Sequence, residues 1–245
     1  MLRSKRMVGF SLSILLLGTF WACQGGLGGV MDQVAQQMQS DQPLTQNEII
    51  AGLKQALEVG TGNAVALTSK TDGYFKNPQI KIPLPEQVRK AEDLLRTVGL
   101  GDQVTAFEKS MNRAAERAAP EAKALFVTAI KQMTFADAKK ILQGRENEAT
   151  LYFEEKTSAP LAQRFKPIVH SAMSEVGVTR YYQSIESKLR VLPLGGSLNL
   201  DLDQYVTGKA LDGLFFMVAQ EEAKIRKDPA ARVTELLKRV FGAQP

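Results

Sequence analysis

The sequence predicts a mainly α fold, a single multi-helix domain with a minor two-strand β element, and three observations carry that reading. From Thr45 onward apolar residues recur at helical spacing through most of the chain. Strict apolar/polar alternation is confined to two short stretches, Ile80-Lys-Ile82 and Leu198 to Leu202. The 245-residue chain is 44% hydrophobic and 23% charged, ordinary values for one domain with a sizeable core.

The first 22 residues are read as a leader. Met1-Leu-Arg-Ser-Lys-Arg6 is basic, Met7 to Trp21 is apolar, and Ala22-Cys23 follows, the order of an export signal. The apolar run is shorter than the roughly 20 residues a membrane span needs. The segment resembles the lipobox of bacterial lipoproteins, in which a small residue precedes a cysteine that is lipidated and becomes the new N-terminus. Phe20 and Trp21 stand where that motif usually has smaller side chains. The expectation is lipidation at Cys23, the chain's single cysteine, which also excludes an intramolecular disulfide. Gln24 follows the cysteine where Asp would often signal inner-membrane retention, so the expected location is the periplasmic face of the outer membrane.

Arg3, Lys5 and Arg6 leave with the leader, so 31 basic residues become 28 against 26 acidic, and a net charge of +5 becomes +2. Charges of both signs are interspersed, and no basic stripe is suited to neutralising a run of phosphates. No nucleic-acid partner is expected.

Residues 23–44, rich in Gly, Gln and Ser, are expected to be a flexible tether reaching on the order of 25 Å. Thr45-Gln-Asn-Glu48 has the form of a capping box, and Ile49, Ile50, Leu53, Ala56 and Leu57 follow as one helical stripe. Gly60 and Gly62 weaken that pattern before Val65, Ala66 and Leu67 resume it. Asp72-Gly73 is a turn. Asn77 to Pro85 holds three prolines, which exclude a helix, so Ile80 and Ile82 predict a short edge strand.

Val88, Ala91, Leu94, Leu95 and Val98 predict a helix from Glu86 to Gly99, and Asp102 an N-cap for the next, with Phe107, Met111, Ala114 and Ala118 inward. Pro120 punctuates. Leu125, Phe126, Ala129, Ile130 and Met133 continue, and Thr134 with Asp137 caps a short helix ending near Gly144. Further helices are expected over 147–157, 160–176 and 179–190, with a break at Gly177. Leu198, Leu200 and Leu202 predict a strand partner for Ile80–Ile82. Asp203 is then expected to cap a long helix, and Asp228-Pro229 to be N-cap and first residue of a last one ending at Gly242.

Candidate chemistry is sparse. Asn199, Asp201 and Asp203 would share one face of a strand, as oxygen ligands of a hard cation do, although the same residues suit a solvent face and a helix cap. His170, the single histidine, lies in a helical stretch with no nucleophile elbow near it, so a histidine with one satisfied ring nitrogen on a helix face is expected. Glu116, spaced helically from Asn112 and Arg113, and Glu222, four residues before Arg226, are the acids to consider for a two-carboxylate glycan hydrolase. The Glu222–Arg226 spacing equally suits a helix-surface ion pair. No metal or cofactor site is expected.

Several segments together resemble one bacterial family. They are Glu48 to Leu57, Asp72-Gly-Tyr-Phe75, Asn77 to Pro85, Met111-Asn-Arg-Ala-Ala-Glu116, Ala149 to Phe153, Tyr205 to Phe215 and Ile225 to Arg232. The chain is identified as similar, over about 45–242, to the domain-of-unknown-function family 4197, uncharacterised envelope proteins found largely in Gram-negative bacteria. The resemblance implies location and a single domain; it supplies no activity and no catalytic residues. The expectation is a non-catalytic, lipid-anchored periplasmic domain binding a protein or an apolar ligand, the alternative an envelope glycan hydrolase.

Overall fold

A computed structural model describes residues 44–175, 177–189, 200–228, 231–232 and 234–242. The leader, Cys23 and the tether up to residue 43 lie outside the described residues, as do Leu198, Asn199 and Pro229. The described residues are helical apart from the turns and straps between helices, and none of their helices is long and apolar enough to cross a membrane.

Ten helices are labelled in chain order: α1 Gln46–Ser69, α2 Glu86–Lys90, α3 Glu92–Leu95, α4 Gly101–Ala118, α5 Ala122–Gln132, α6 Phe135–Gln143, α7 Glu148–Glu175, α8 Val178–Leu189, α9 Leu202–Lys227 and α10 Glu235–Gly242. Both capping boxes form: Thr45 N–H donates to Glu48 Oε2 at 2.8 Å, and Thr134 N–H to Asp137 Oδ2 at 3.0 Å. The four long helices α1, α4, α7 and α9 pack on one another, α9 lying against the other three. Phe126 from α5 fills their centre, its ring 5.1 Å from Phe153 on α7 and 6.2 Å from Phe215 on α9.

Helix continuity exceeds what the breakers suggest. Gly60 and Gly62 do not interrupt α1. A Cβ at Gly60 would already lie 3.3 Å from Ile225 Cδ1, so the missing side chain lets α9 approach closely. Residues 147–157 and 160–176 are not separate helices: α7 runs through Pro160 and Pro167. Each proline leaves one carbonyl without its helical donor, but packing of Phe153, Leu161, Phe165 and Val169, all fully buried, holds the helix across both. By contrast, the helix expected from Glu86 to Gly99 breaks at Ala91 (φ −101°, ψ 5°), and a turn at Val98-Gly99 with Gly99 at φ +85° leads into α4. Asp102 falls in the first turn of α4 rather than at its cap.

The two-strand element is overturned. No strand forms among the described residues. Residues 70–85 are a strap of turns and extended chain between α4 and α9, and they bury Tyr74, Ile80, Ile82 and Leu84. Ile80 ends a turn, its N–H donating to Asn77 C=O at 3.2 Å. Ile82 finds its backbone partners on a helix: its N–H donates to Asn112 Oδ1 at 2.8 Å, and Asn112 Nδ2 donates to its C=O at 2.9 Å. On the other side, Leu200 and Asp201 are non-helical and Leu202 already opens α9.

Two caps differ from expectation. Asp201, not Asp203, caps α9, its Oδ1 accepting from Gln204 N–H at 2.9 Å. Asp228 ends α9 instead of starting the last helix: its N–H donates to Lys224 C=O at 2.7 Å, and α10 begins only at Glu235.

Candidate functional site

Glu116 is buried on α4 and faces the strap. Its Oε1 accepts from Tyr74 N–H at 3.1 Å and Phe75 N–H at 3.2 Å, and its Oε2 accepts from Arg113, which also binds Asp72. Asp72 sits in the left-handed region at φ 66°, a conformation Asp tolerates. Lys76, and then Arg113, hold its carboxyl below the ordinary value. Tyr74 donates from its hydroxyl to Ala210 C=O at 2.6 Å. Burial, with Glu116 adding to it, pushes that phenol well up. Asn112 and Glu116 thus fasten one strap through its backbone and Arg113 through the Asp72 carboxylate, and α9 holds the far side through Tyr74 and through Tyr205, whose hydroxyl donates to Pro83 C=O at 2.9 Å.

Glu222 does a comparable task elsewhere. Its Oε1 accepts from Ala149 N–H at 3.1 Å, and its Oε2 from Thr150 N–H at 2.9 Å and Thr150 Oγ1 at 2.8 Å. A carboxylate at the first N–H groups of α7 satisfies donors that have no partner within their helix and meets the positive end of its dipole. Arg226 binds the same Oε1 at 2.8 Å and also donates to Ile141 C=O at 2.8 Å. The expected helix-surface pair is therefore real in spacing but interior: the two side chains are 6% and 14% exposed.

The structure does not bring Glu116 and Glu222 together. The small cavity beside Glu222 is lined by Leu53, Ile141, Ala149, Ile225 and Arg226, with no second acid. Asp201 is occupied as a helix cap. Asp203 lies with its Oδ2 2.8 Å from His170 Nδ1, tying α7 to the first turn of α9. This gives the histidine the satisfied ring nitrogen expected of it. Among the described residues no three His, Cys, Asp or Glu side chains are grouped to hold a metal.

One open feature among the described residues is a groove of about 410 Å³ between α1 and α9. Val59, Ala66 and Leu67 of α1, Ile225 of α9 and Ala231 give it apolar walls. A Cβ placed at Gly62 would meet nothing within 4 Å. Its polar part is Glu221, buried, which accepts from Asn63 Nδ2 at 2.9 Å and from Lys224. An apolar concavity of this size with a few fixed polar groups has the character of a ligand or partner site. Sequence reasoning did not find it. The signal present in the chain was Asn63 and Ala66, a polar and a small residue on one helix where large apolar ones would close the gap.

Fold and sites define a helical domain whose buried acids brace its own backbone and which carries an apolar groove on its surface. The chain belongs to the family described as protein of unknown function (DUF4197), whose model matches residues 43–242. No curated protein and no solved structure matches it.

Proposed function

We propose that this chain is a lipid-anchored protein of the cell envelope, held at the periplasmic face of the outer membrane through Cys23, and that its domain works by binding rather than catalysis. The groove between α1 and α9 is the binding surface, and its occupant is an apolar ligand or the apolar stripe of a protein partner. The observation that carries the binding reading is the groove itself, apolar on both walls with Glu221, Asn63 and Lys224 as its polar groups. A glycan hydrolase working through Glu116 and Glu222 draws no support from the geometry, because each carboxylate already accepts backbone N–H groups and an arginine. The anchor reading rests on the leader and on Ala22-Cys23-Gln24.

Two experiments test this. Cys23→Ser should release the protein from the membrane fraction; unchanged fractionation would remove the anchor. Ala66→Trp, which fills the groove from an exposed position, should abolish fluorescence enhancement of the apolar probe N-phenyl-1-naphthylamine while leaving the melting temperature in place. Probe binding that survives this substitution places the binding surface elsewhere.

A further inference from the structure

Helix α6 turns an unusual face to solvent. Phe135, Ala136, Lys139, Lys140 and Gln143 are all exposed, while Ala138 and Ile141 point into the core. Phe135 is 49% exposed, and Val98 is the other large apolar side chain so placed among the described residues. Lys139 lies one turn after Phe135 on the same face, and Lys140, at 70% side-chain exposure, lies beside it. The helix's own carboxylate, Asp137, is turned back into the cap, where its Oδ2 accepts from both the N–H and the hydroxyl of Thr134. The outward face of α6 therefore bears an aromatic ring and two ammonium groups, of which that of Lys140 lies 3.4 Å from Glu148 Oε1, a carboxylate it shares with Arg145. Lys131, exposed at the end of α5, adds a cation just ahead of Phe135. The acids nearest this face are already engaged: Glu155 pairs with Lys156 at 2.7 Å, and Glu148 with Arg145 at 3.1 Å and Lys140 at 3.4 Å.

We propose that the outward face of α6 is a contact surface for an anionic phospholipid leaflet. Phe135 enters the headgroup region, Lys139 meets lipid phosphates, and exposed Lys131 and Lys140, the latter with Arg145 outnumbering Glu148, add positive charge nearby. An amphipathic surface with an aromatic on one side and lysines around it is the arrangement that lies in a membrane interface, and charge complementarity selects anionic over zwitterionic lipid. One ring and three lysines give a weak contact alone. On a chain already anchored by lipid the contact becomes intramolecular, and a weak contact then suffices to orient the domain. That consequence rests on the anchor reading; the contact itself does not.

The test uses the chain from residue 23 carrying Cys23→Ser, so that no acyl chain contributes. Removal of the leader takes Trp21, the only tryptophan, so Phe135→Trp introduces a unique reporter. With phosphatidylcholine vesicles containing phosphatidylglycerol, the indole emission of the Phe135→Trp variant should shift to the blue, and the shift should fade with added salt. With phosphatidylcholine alone, or with Val98→Trp in place of Phe135→Trp, it should not occur. In co-sedimentation, Lys139→Gln should weaken binding about five-fold and Phe135→Ser about five- to ten-fold, with unchanged melting curves because both positions are exposed. Equal binding to both vesicle types, variants that bind like the parent, or no sedimentation with anionic vesicles would each overturn the proposal. A failure here leaves the Cys23 fractionation result untouched, so the two readings fail separately.

Discussion

Asn112 Oδ1 accepts the Ile82 N–H at 2.8 Å while Asn112 Nδ2 donates to the Ile82 C=O at 2.9 Å, so one side-chain amide on α4 supplies both bonds a neighbouring strand would give. Both residues are almost fully buried, which excludes water as the substitute partner. Asn112→Ala orphans two buried backbone groups, at about 1–3 kcal/mol each. Urea unfolding should show that loss. Asn112→Leu should lose at least as much despite the same branching at Cγ, since the backbone groups stay unpaired and the larger side chain enters a fully buried site. A loss below about 0.5 kcal/mol for either variant would mean that the strap does not depend on the amide.

Glu222 and Arg226 invite a second test, because their burial makes the consequence of removing one partner large. Glu222→Ala leaves the Arg226 guanidinium inside with only the Ile141 carbonyl and strips the first N–H groups of α7 of their acceptor. Breaking a buried pair in this way costs about 3–5 kcal/mol. Glu222→Gln keeps one acceptor oxygen and should cost less. A variant that melts like the parent would contradict this bracing role and reopen Glu222 as a functional acid.

These two networks show what was legible in the sequence and what was not. The apolar stripes of α1 and α4 and both capping boxes depend on residues within a turn or two of each other, and they formed as expected. The alternation of Ile80 and Ile82 correctly marked which side chains go inward, since both are buried. It carried no information about what satisfies the backbone, and that partner, Asn112, lies 30 residues away on a helix. Likewise Glu222–Arg226 was visible as a spacing, whereas its burial comes from the start of α7, 73 residues earlier. Pro160 and Pro167 read as breakers because local propensity favours a break there, and packing of α7 against α4, α5 and α9 overrides it.

The shift of the α9 cap by two residues gives a paired prediction. Asp201 Oδ1 holds an N–H at the start of α9, so Asp201→Ala should cost about 0.5–2 kcal/mol. Asp201→Ser keeps a capping oxygen and should recover most of that loss. Asp203→Ala removes the contact with the exposed His170 ring, a surface pair worth about 0–1 kcal/mol. Thermal melts should place Asp201→Ala lowest of the three; a lower melt for Asp203→Ala would return the cap to Asp203.

Gly213 tests the packing of α9 on the strap. A Cβ there would lie 2.7 Å from Tyr74 Cε1, closer than real contacts allow, and 3.1 Å from Ile80 Cβ, tighter than most. Tyr74 is fully buried, and its hydroxyl is tied to Ala210 C=O, so the ring cannot swing aside freely. Helix propensity alone would favour alanine, but overpacking costs about 1–3 kcal/mol. Gly213→Ala should therefore destabilise in a urea melt. A stabilised variant would mean the strap has room to shift.

Acid should loosen the domain, and the direction follows from four carboxylates held below their ordinary range. The Thr45 backbone N–H lowers Glu48, the Lys76 ammonium followed by Arg113 lowers Asp72, the Thr134 hydroxyl lowers Asp137, and Arg145 lowers Glu148. Each group binds its proton less readily in the folded chain than in the unfolded one. Their contribution is thus fully present above the unfolded carboxylate values of about 3.9–4.3 and is lost as pH falls through the lower folded values. Melting temperatures at constant ionic strength should show no loss from these groups between about pH 7 and 5 and a progressive fall below about pH 4.5. Asp137→Asn, which cannot titrate, should melt lower than the parent at neutral pH, and the gap should narrow as pH falls below about 4. A gap that stays constant across that range would show that Asp137 stabilises α6 by something other than its charge.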